Sequence, residues 1–130
     1  MIETGLVTFL NADTGVSAIT GTRIYPMILP QNPTYPAITY SRNSVDRDMT
    51  LEEGQTDFAS ADIQIDAWST SYSGAKTLWQ AIKDAIQNFQ GSMGAIAVQR
   101  AFVVGDLDVY EPDVGAYRCS MTVSIWHTEA

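Results

Sequence analysis

Apolar and polar positions recur along this chain with two different periods, and the periods mark its elements. Ile2, Leu6, Phe9 and Leu10 fall at helical spacing and predict a short amphipathic helix over Ile2–Asn11. Asp13, Thr14 and Gly15 break it, and Val16 to Ile19 add one further helical turn before Gly21. Prolines at positions 26, 30, 33 and 36 exclude a helix and disfavour a central strand. That stretch reads as an extended, ordered segment anchored on the core by Tyr25 and Tyr35. Ala37–Val45 reads as a strand with Ile38 and Tyr40 on one face. Ile63, Ile65 and Ala67 alternate with Asp62, Gln64, Asp66 and Trp68, the period of a half-buried strand.

Ala75, Leu78, Trp79, Ile82, Ala85, Ile86 and Phe89 then form one apolar stripe at helical spacing. Ser71 or Ser73 can cap that helix, and Gly91 is the expected stop. Ile96–Val104 reads as a strand, and Gly105–Gly115, with Pro112, as an acidic connection. In the last strand Tyr117, Cys119, Met121, Val123 and Ile125 face one way. Arg118, Ser120, Thr122, Ser124 and Trp126 face the other. The order helix, strand, strand, helix, strand, strand predicts an α+β two-layer sandwich: a small, mainly antiparallel sheet with helices packed on one face. Its second face is polar and carries Trp68 and Trp126. No repeat or linker divides the chain, so one domain is expected over residues 1–130.

Composition narrows the function. With 45% apolar residues the chain has material for a core without a disulfide or metal staple. Cys119, the single cysteine, suits a reducing compartment. No apolar run approaches the ~18 residues of a membrane span. The N-terminus, with Glu3 and spaced apolar positions, does not read as a secretory signal, so synthesis in a cytoplasm and no membrane partner are expected. Fifteen acidic and seven basic residues give a net charge of −8, and the basic ones are scattered singly. Stable wrapping of nucleic acid, which needs clustered cations, is thereby disfavoured, while passage of nucleic acid along an acidic wall is not.

The candidate chemistry does not assemble. Cys119 and His127 stand eight residues apart on one strand, about 26 Å at ~3.3 Å per residue, too far for a nucleophile and its base. Cys119 reads as a small buried apolar residue, and His127 as a solvated residue near the chain end. Asp106, Asp108, Glu111 and Asp113 fail the EF-hand pattern, because Glu111 falls where glycine is required. One cysteine and one histidine are too few for a zinc site. Gly91-Ser92-Met93-Gly94 lacks the lysine of a phosphate loop. Asp62 and Asp66, about 13 Å apart on a strand, are too far apart for a glycosidase pair. No catalytic residue, metal or cofactor is expected. Trp68 and Trp126 read instead as anchors of a protein contact. The charged stretch Asp46–Asp57 reads as a long exposed loop or hairpin tip carrying Arg47, Asp48, Glu52 and Glu53.

Gly21-Thr22-Arg23-Ile24-Tyr25-Pro26, then Pro30-Gln31-Asn32-Pro33 and Tyr35-Pro36-Ala37-Ile38-Thr39-Tyr40, resembles the opening of the tail terminator (tail-completion) proteins of long-tailed bacteriophages and prophages. The resemblance continues through the Asp62–Trp68 strand, the Ala75–Phe89 helix and the closing strand. It implies a structural virion protein that forms a hexameric ring on the head-proximal end of the tail tube. Such a ring stops tube polymerisation and offers the surface that joins the head. The partners implied are sister subunits, the tail-tube protein and the head–tail connector proteins, with DNA passing through without stable binding. On that reading Arg47, Asp48, Glu52, Glu53, Trp68 and Trp126 are the expected subunit or tube contacts. Asp62, Asp66, Asp106 and Asp108 are the expected acidic residues of the lumen or an axial face. A head-completion (stopper) protein or another neck subunit is the nearest alternative. A small-molecule-binding or hydrolytic α+β domain, which needs a deep apolar pocket with converging polar groups, is the alternative of a different class.

Overall fold

The computed structural model describes residues 2–48, 58–94 and 96–128. The chain opens with helix α1 (Ile2–Ala12), followed after one residue by α2 (Thr14–Thr20). Asp13 separates the two helices because its carboxylate accepts from the Val16 N–H at 3.0 Å, capping the second. The turn expected after Gly15 is therefore a helix of its own. Three strands follow: β1 (Ile24–Pro26), β2 (Ala37–Asp48) and β3 (Phe58–Ser69). Helix α3 (Tyr72–Ile86) leads to β4 (Gly91–Met93), β5 (Ile96–Glu111) and β6 (Ala116–Thr128). The sheet order is β1-β2-β3-β6-β5-β4. Among the described residues only β1 runs parallel to its neighbour; the other pairs are antiparallel.

The helices lie on one face of this sheet, as the pattern predicts. Leu6 and Leu10 of α1, Val16 of α2 and Leu78, Ile82 and Ile86 of α3 are fully enclosed with Ile38, Ile63, Ile65, Val123 and Ile125 of the strands. α3 begins where Ser71 accepts from the Gly74 N–H at 3.1 Å. It ends at Ile86, with Gln87 in extended backbone, so Gly91 is not the stop. Gly91 opens β4, and Phe89 lies beyond the helix, tilted against Phe9 at 4.5 Å. The apolar stripe continues past the helix because the turn after it stays on the core.

Other expectations are corrected too. β5 continues through Gly105 to Glu111, so the connection to β6 shrinks to the turn around Pro112–Gly115. Two bulges, at Val98/Arg100 and Val103/Gly105, explain the misreading. Each slips the strand by one residue and swaps which positions face the helices. Val103 stands opposite core-facing Val123, and past the bulge Asp106 and Asp108 stand opposite core-facing Met121 and Cys119. Residues 46–48 extend β2, paired as far as Asp48 with Phe58, so the expected loop or hairpin tip begins later than Asp46. The rest of that stretch, with Glu52 and Glu53, lies outside the described residues. Ile24-Tyr25-Pro26 supplies the parallel edge strand, and it is Ile24, more than the half-buried Tyr25, that enters the core. His127 is buried at 4% exposure and not solvated, since β6 pairs with β3 and β5 to its end.

One close approach constrains the helix layer. A Cβ added at Gly5 would collide with the Met93 carbonyl oxygen, so only glycine lets α1 lie against β4. Gly5→Ala is expected to cost roughly 1–3 kcal/mol, because backbone cannot give way as a side chain can. A thermal melt of the variant, lower than wild type, checks this.

Candidate functional site

The face of the sheet away from the helices holds an organised polar cluster. Its residues come from β2, β3, β6 and the end of β5, and antiparallel pairing brings Thr39 level with Asp66, Trp68 with Arg118, and Asp66 with Ser120. The Trp68 indole N–H donates to Thr39 Oγ1 at 2.9 Å. The Thr39 hydroxyl donates to Asp66 Oδ2 at 3.4 Å, and the Gln64 amide donates to both Asp66 oxygens at 3.1 and 3.3 Å. Arg118 reaches Asp66 at 3.5 Å and Glu111 at 3.6 Å, with its guanidinium 5.8 Å from the Trp68 ring centre. Asp66 is thus surrounded by donors and only 13% exposed at its side chain. Such a network fixes side-chain positions on a surface that no helix covers.

Beside it lies a groove of about 430 Å³ between the Met27–Pro33 segment and Val114, bordered by Trp68. Met27 and Ile28 are 70% and 77% exposed there. Trp126 is also exposed, but it pairs in register with Ser60 at the other end of the sheet from Trp68. Eight residues of β6 separate Arg118, beside Trp68, from Trp126, about 26 Å at ~3.3 Å per residue. The two tryptophans therefore share a face and form no single patch.

The four acidic residues expected on the lumen or an axial face stand on opposite sides of the sheet. Asp62 and Asp66 lie on the open face, level with Ser124 and Ser120. Asp106 and Asp108 stand on the helix side of β5, moved there by the bulge. Asp108 accepts from the Tyr72 hydroxyl at 2.7 Å and pairs with Lys76 at 3.5 Å, at the start of α3. The Tyr72 hydrogen bond, with Lys76 adding to it, holds the Asp108 carboxyl below its ordinary value of 3.8, and the same bond raises the Tyr72 phenol. A group depressed in this way supports the fold above the unfolded carboxylate's pKa, and that support fades as pH falls through the folded value. In Tyr72→Phe the Asp108 midpoint is expected to move up towards 3.8, read by carboxyl chemical shift against pH.

Cys119 is enclosed beside Asp108, and burial, with the carboxylate adding to it, pushes its thiol up to about 11. A thiol held protonated is a poor nucleophile. His127 shares the helix-facing side of β6 with Cys119 and is eight positions away. Among the described residues no group of three or more metal-binding side chains converges. Arg47 and Asp48 occupy the last positions of β2, level with Ala59 and Phe58.

Thr39, Gln64, Glu111 and Arg118, which complete the Trp68–Asp66 cluster, do not stand out in the sequence. The only signal is that Gln64, Asp66 and Trp68 recur every second residue on a strand. Their partners come from three other strands, and only cross-strand register reveals them.

The class follows from these features: a small acidic α+β protein with helices on one side of a mostly antiparallel sheet and a fixed polar network on the other. The family model for Tail completion protein gp17 matches residues 4–128, and this chain belongs to that family; it is a virion structural protein that completes a phage tail. The fold is similar to a chain in a solved structure, the virion of native gene transfer agent (GTA) particle. The TM-score is 0.70 at 16% identity, covering 95% of this chain and 92% of that chain. A search of the curated proteins finds no match.

Proposed function

We propose that this protein forms a ring on the head-proximal end of the tail tube, halts tube growth there and presents the surface to which the head joins. Membership of a tail-completion family supports this reading. The observation that carries it is the helix-free sheet face with its fixed polar network. Three helices crowd the other face, which suits the convex outer side of a ring, so the open face turns towards the axis. Asp62, Ser120, Thr122 and Ser124 line that face, and Asp66 is partly neutralised by Arg118. Small hydroxyls and carboxylates offer DNA phosphates little to grip, while Arg100, level with Trp126, stands at one end of the face.

Arg47, Asp48, Glu52, Glu53 and Trp126 supply contacts to neighbours or to the tube. Trp68, locked by Thr39 and Arg118, borders a groove for one of those contacts. Asp106 and Asp108, on the helix side of β5, are assigned in this reading to an axial or subunit-edge surface.

Solution mass with negative-stain images tests the proposal. Rings, or capped and length-limited tubes when tail-tube protein is added, are the expected result. A monomer that ignores tubes and binds the portal–adaptor complex would replace capping with a neck role.

A further inference from the structure

The sheet ends in two incompletely covered edges. β1 covers β2 only from Ile38 to Tyr40, and no described strand pairs with the outer side of β2 from Ser41 to Asp48. β4 covers β5 only from Ile96 to Val98. Gln87, Asn88 and Phe89 extend that cover through hydrogen bonds to Ala101 and Val103. From Gly105 to Glu111 no described strand lies on the outer side of β5. An open strand edge is a template for another strand. Neither stretch contains a proline, and Val104, Leu107 and Tyr110 leave 60%, 60% and 52% of their surface exposed beside the β5 edge.

We infer that the Gly105–Glu111 edge of β5 pairs antiparallel with the Ser41–Asp48 edge of β2 in a second copy of this chain, joining the subunits' sheets into one closed belt. The inference rests on the ring reading above and names the surfaces that close it.

Strand direction is the first support. β2, β3, β6 and β5 alternate in direction. A unit of four alternating strands repeats without inverting the subunit, and β5 then meets the next copy's β2 in the antiparallel sense. Contacts of this head-to-tail kind generate rings when the rotation closes.

Height is the second. Val45 is level with Ala61, while Asp108 is level with Cys119 and through it with Ala67. From Ala61 to Ala67 the free edges are offset by six residues, about 20 Å at ~3.3 Å per residue. Four strands at ~4.8 Å give about 19 Å of sheet width per subunit. Level subunits can then pair only if their strands incline by about 45° to the ring axis, close to the ~35–45° tilt of closed barrels. The offset is the stagger that closure requires.

Charge is the third. The β2 stretch contains Arg42 and Arg47 balanced by Asp46 and Asp48, and the β5 stretch contains Asp106, Asp108 and Glu111 with no basic residue. Setting Val45 opposite Asp108 places Arg47 opposite Asp106 and Asp46 opposite Leu107. Pairing β5 with another β5 would instead oppose acids to acids, which is destabilising.

Cysteine cross-linking tests the pairing. Leu107→Cys is combined in turn with Ser44→Cys, Asp46→Cys and Asp48→Cys, which covers a register shift of one repeat either way. Each variant is checked for wild-type circular dichroism and oxidised at ring-forming concentration. At least one pair is expected to give a ladder of 14.2 kDa steps on a non-reducing gel, ending in a closed species, with collapse on reduction. The single-cysteine variants stop at dimer. A charge exchange gives an independent reading: Asp106→Arg or Arg47→Asp alone is expected to lower the ring fraction several-fold, and the two together to restore it. Rings that form while all three pairs stay uncross-linked overturn the edge pairing and leave the ring intact. Monomers that neither close into rings nor cross-link, alone or with tail-tube protein added, overturn both.

Discussion

Cys119 in the folded protein is expected to react with a thiol reagent at pH 8 about a hundred times more slowly than the same chain in guanidinium. The thiolate is the reactive species, and the rise from 9.0 to about 11 lowers its population about a hundredfold at any pH below the ordinary value. Enclosure of the sulfur adds a steric barrier, since Cys119 has no exposed surface. The same ionisation bears on stability. Between 9.0 and about 11 the unfolded chain releases the thiol proton and the folded chain keeps it, so stability falls as pH rises through that window. Timed labelling followed by mass measurement checks the rate. A folded-state rate within tenfold of the unfolded one would mean that the thiol is neither enclosed nor held protonated. It would also reopen the question of a reactive centre.

Leu78→Ala is expected to destabilise the protein by about 2–5 kcal/mol, as deletion of a fully enclosed leucine does when its surroundings cannot collapse into the cavity. Leu78 has no exposed surface, and α3 packs across β3, β6 and β5, the middle of the sheet. For a chain of this size a loss of about 3 kcal/mol lowers the melting temperature by roughly 10 °C. Gln80→Ala, on the exposed side of the same helix, removes only a bond to Asp84 and is expected to stay within about 0.5 kcal/mol of wild type. Chemical denaturation at a concentration below assembly separates the two effects from ring formation. Equal losses for the two variants would contradict the packing of α3 on the sheet.

If α3 carries the subunit's stability, the open face is free to be shaped by contact. Asp66 illustrates the arrangement: its charge is met within the subunit by Arg118, Gln64 and Thr39. The ordered groups of that face therefore exist before any neighbour arrives, and docking need not order them.

Much of this architecture is legible in one sequence because its elements announce themselves by local periodicity. The stripe from Ala75 to Ile86 and the alternation from Asp62 to Trp68 depend only on which residues are apolar and how far apart they stand. The helix, the strand and the face each buries follow directly. The opening segment from Gly21 to Tyr40 likewise carries the family resemblance that the match over residues 4–128 bears out. Short or irregular elements are different. β1 and β4 have three residues each and owe their existence to the neighbour they pair with. In β5 each bulge breaks the alternation that would have marked a strand, so Gly105–Glu111 looked like a connection.

The site divides along the same line. Which residues are polar on alternate positions of β3 and β6 was set by the order of amino acids alone. That Arg118 meets Asp66, that Tyr72 holds Asp108, and that Asp106 and Asp108 lie across the sheet from Asp62 and Asp66 was decided by register and by a one-residue slip in β5. Periodicity is a property of neighbours in the chain and can be read from it. Register is settled by the packing of strands distant in sequence, so it exists only in the folded molecule.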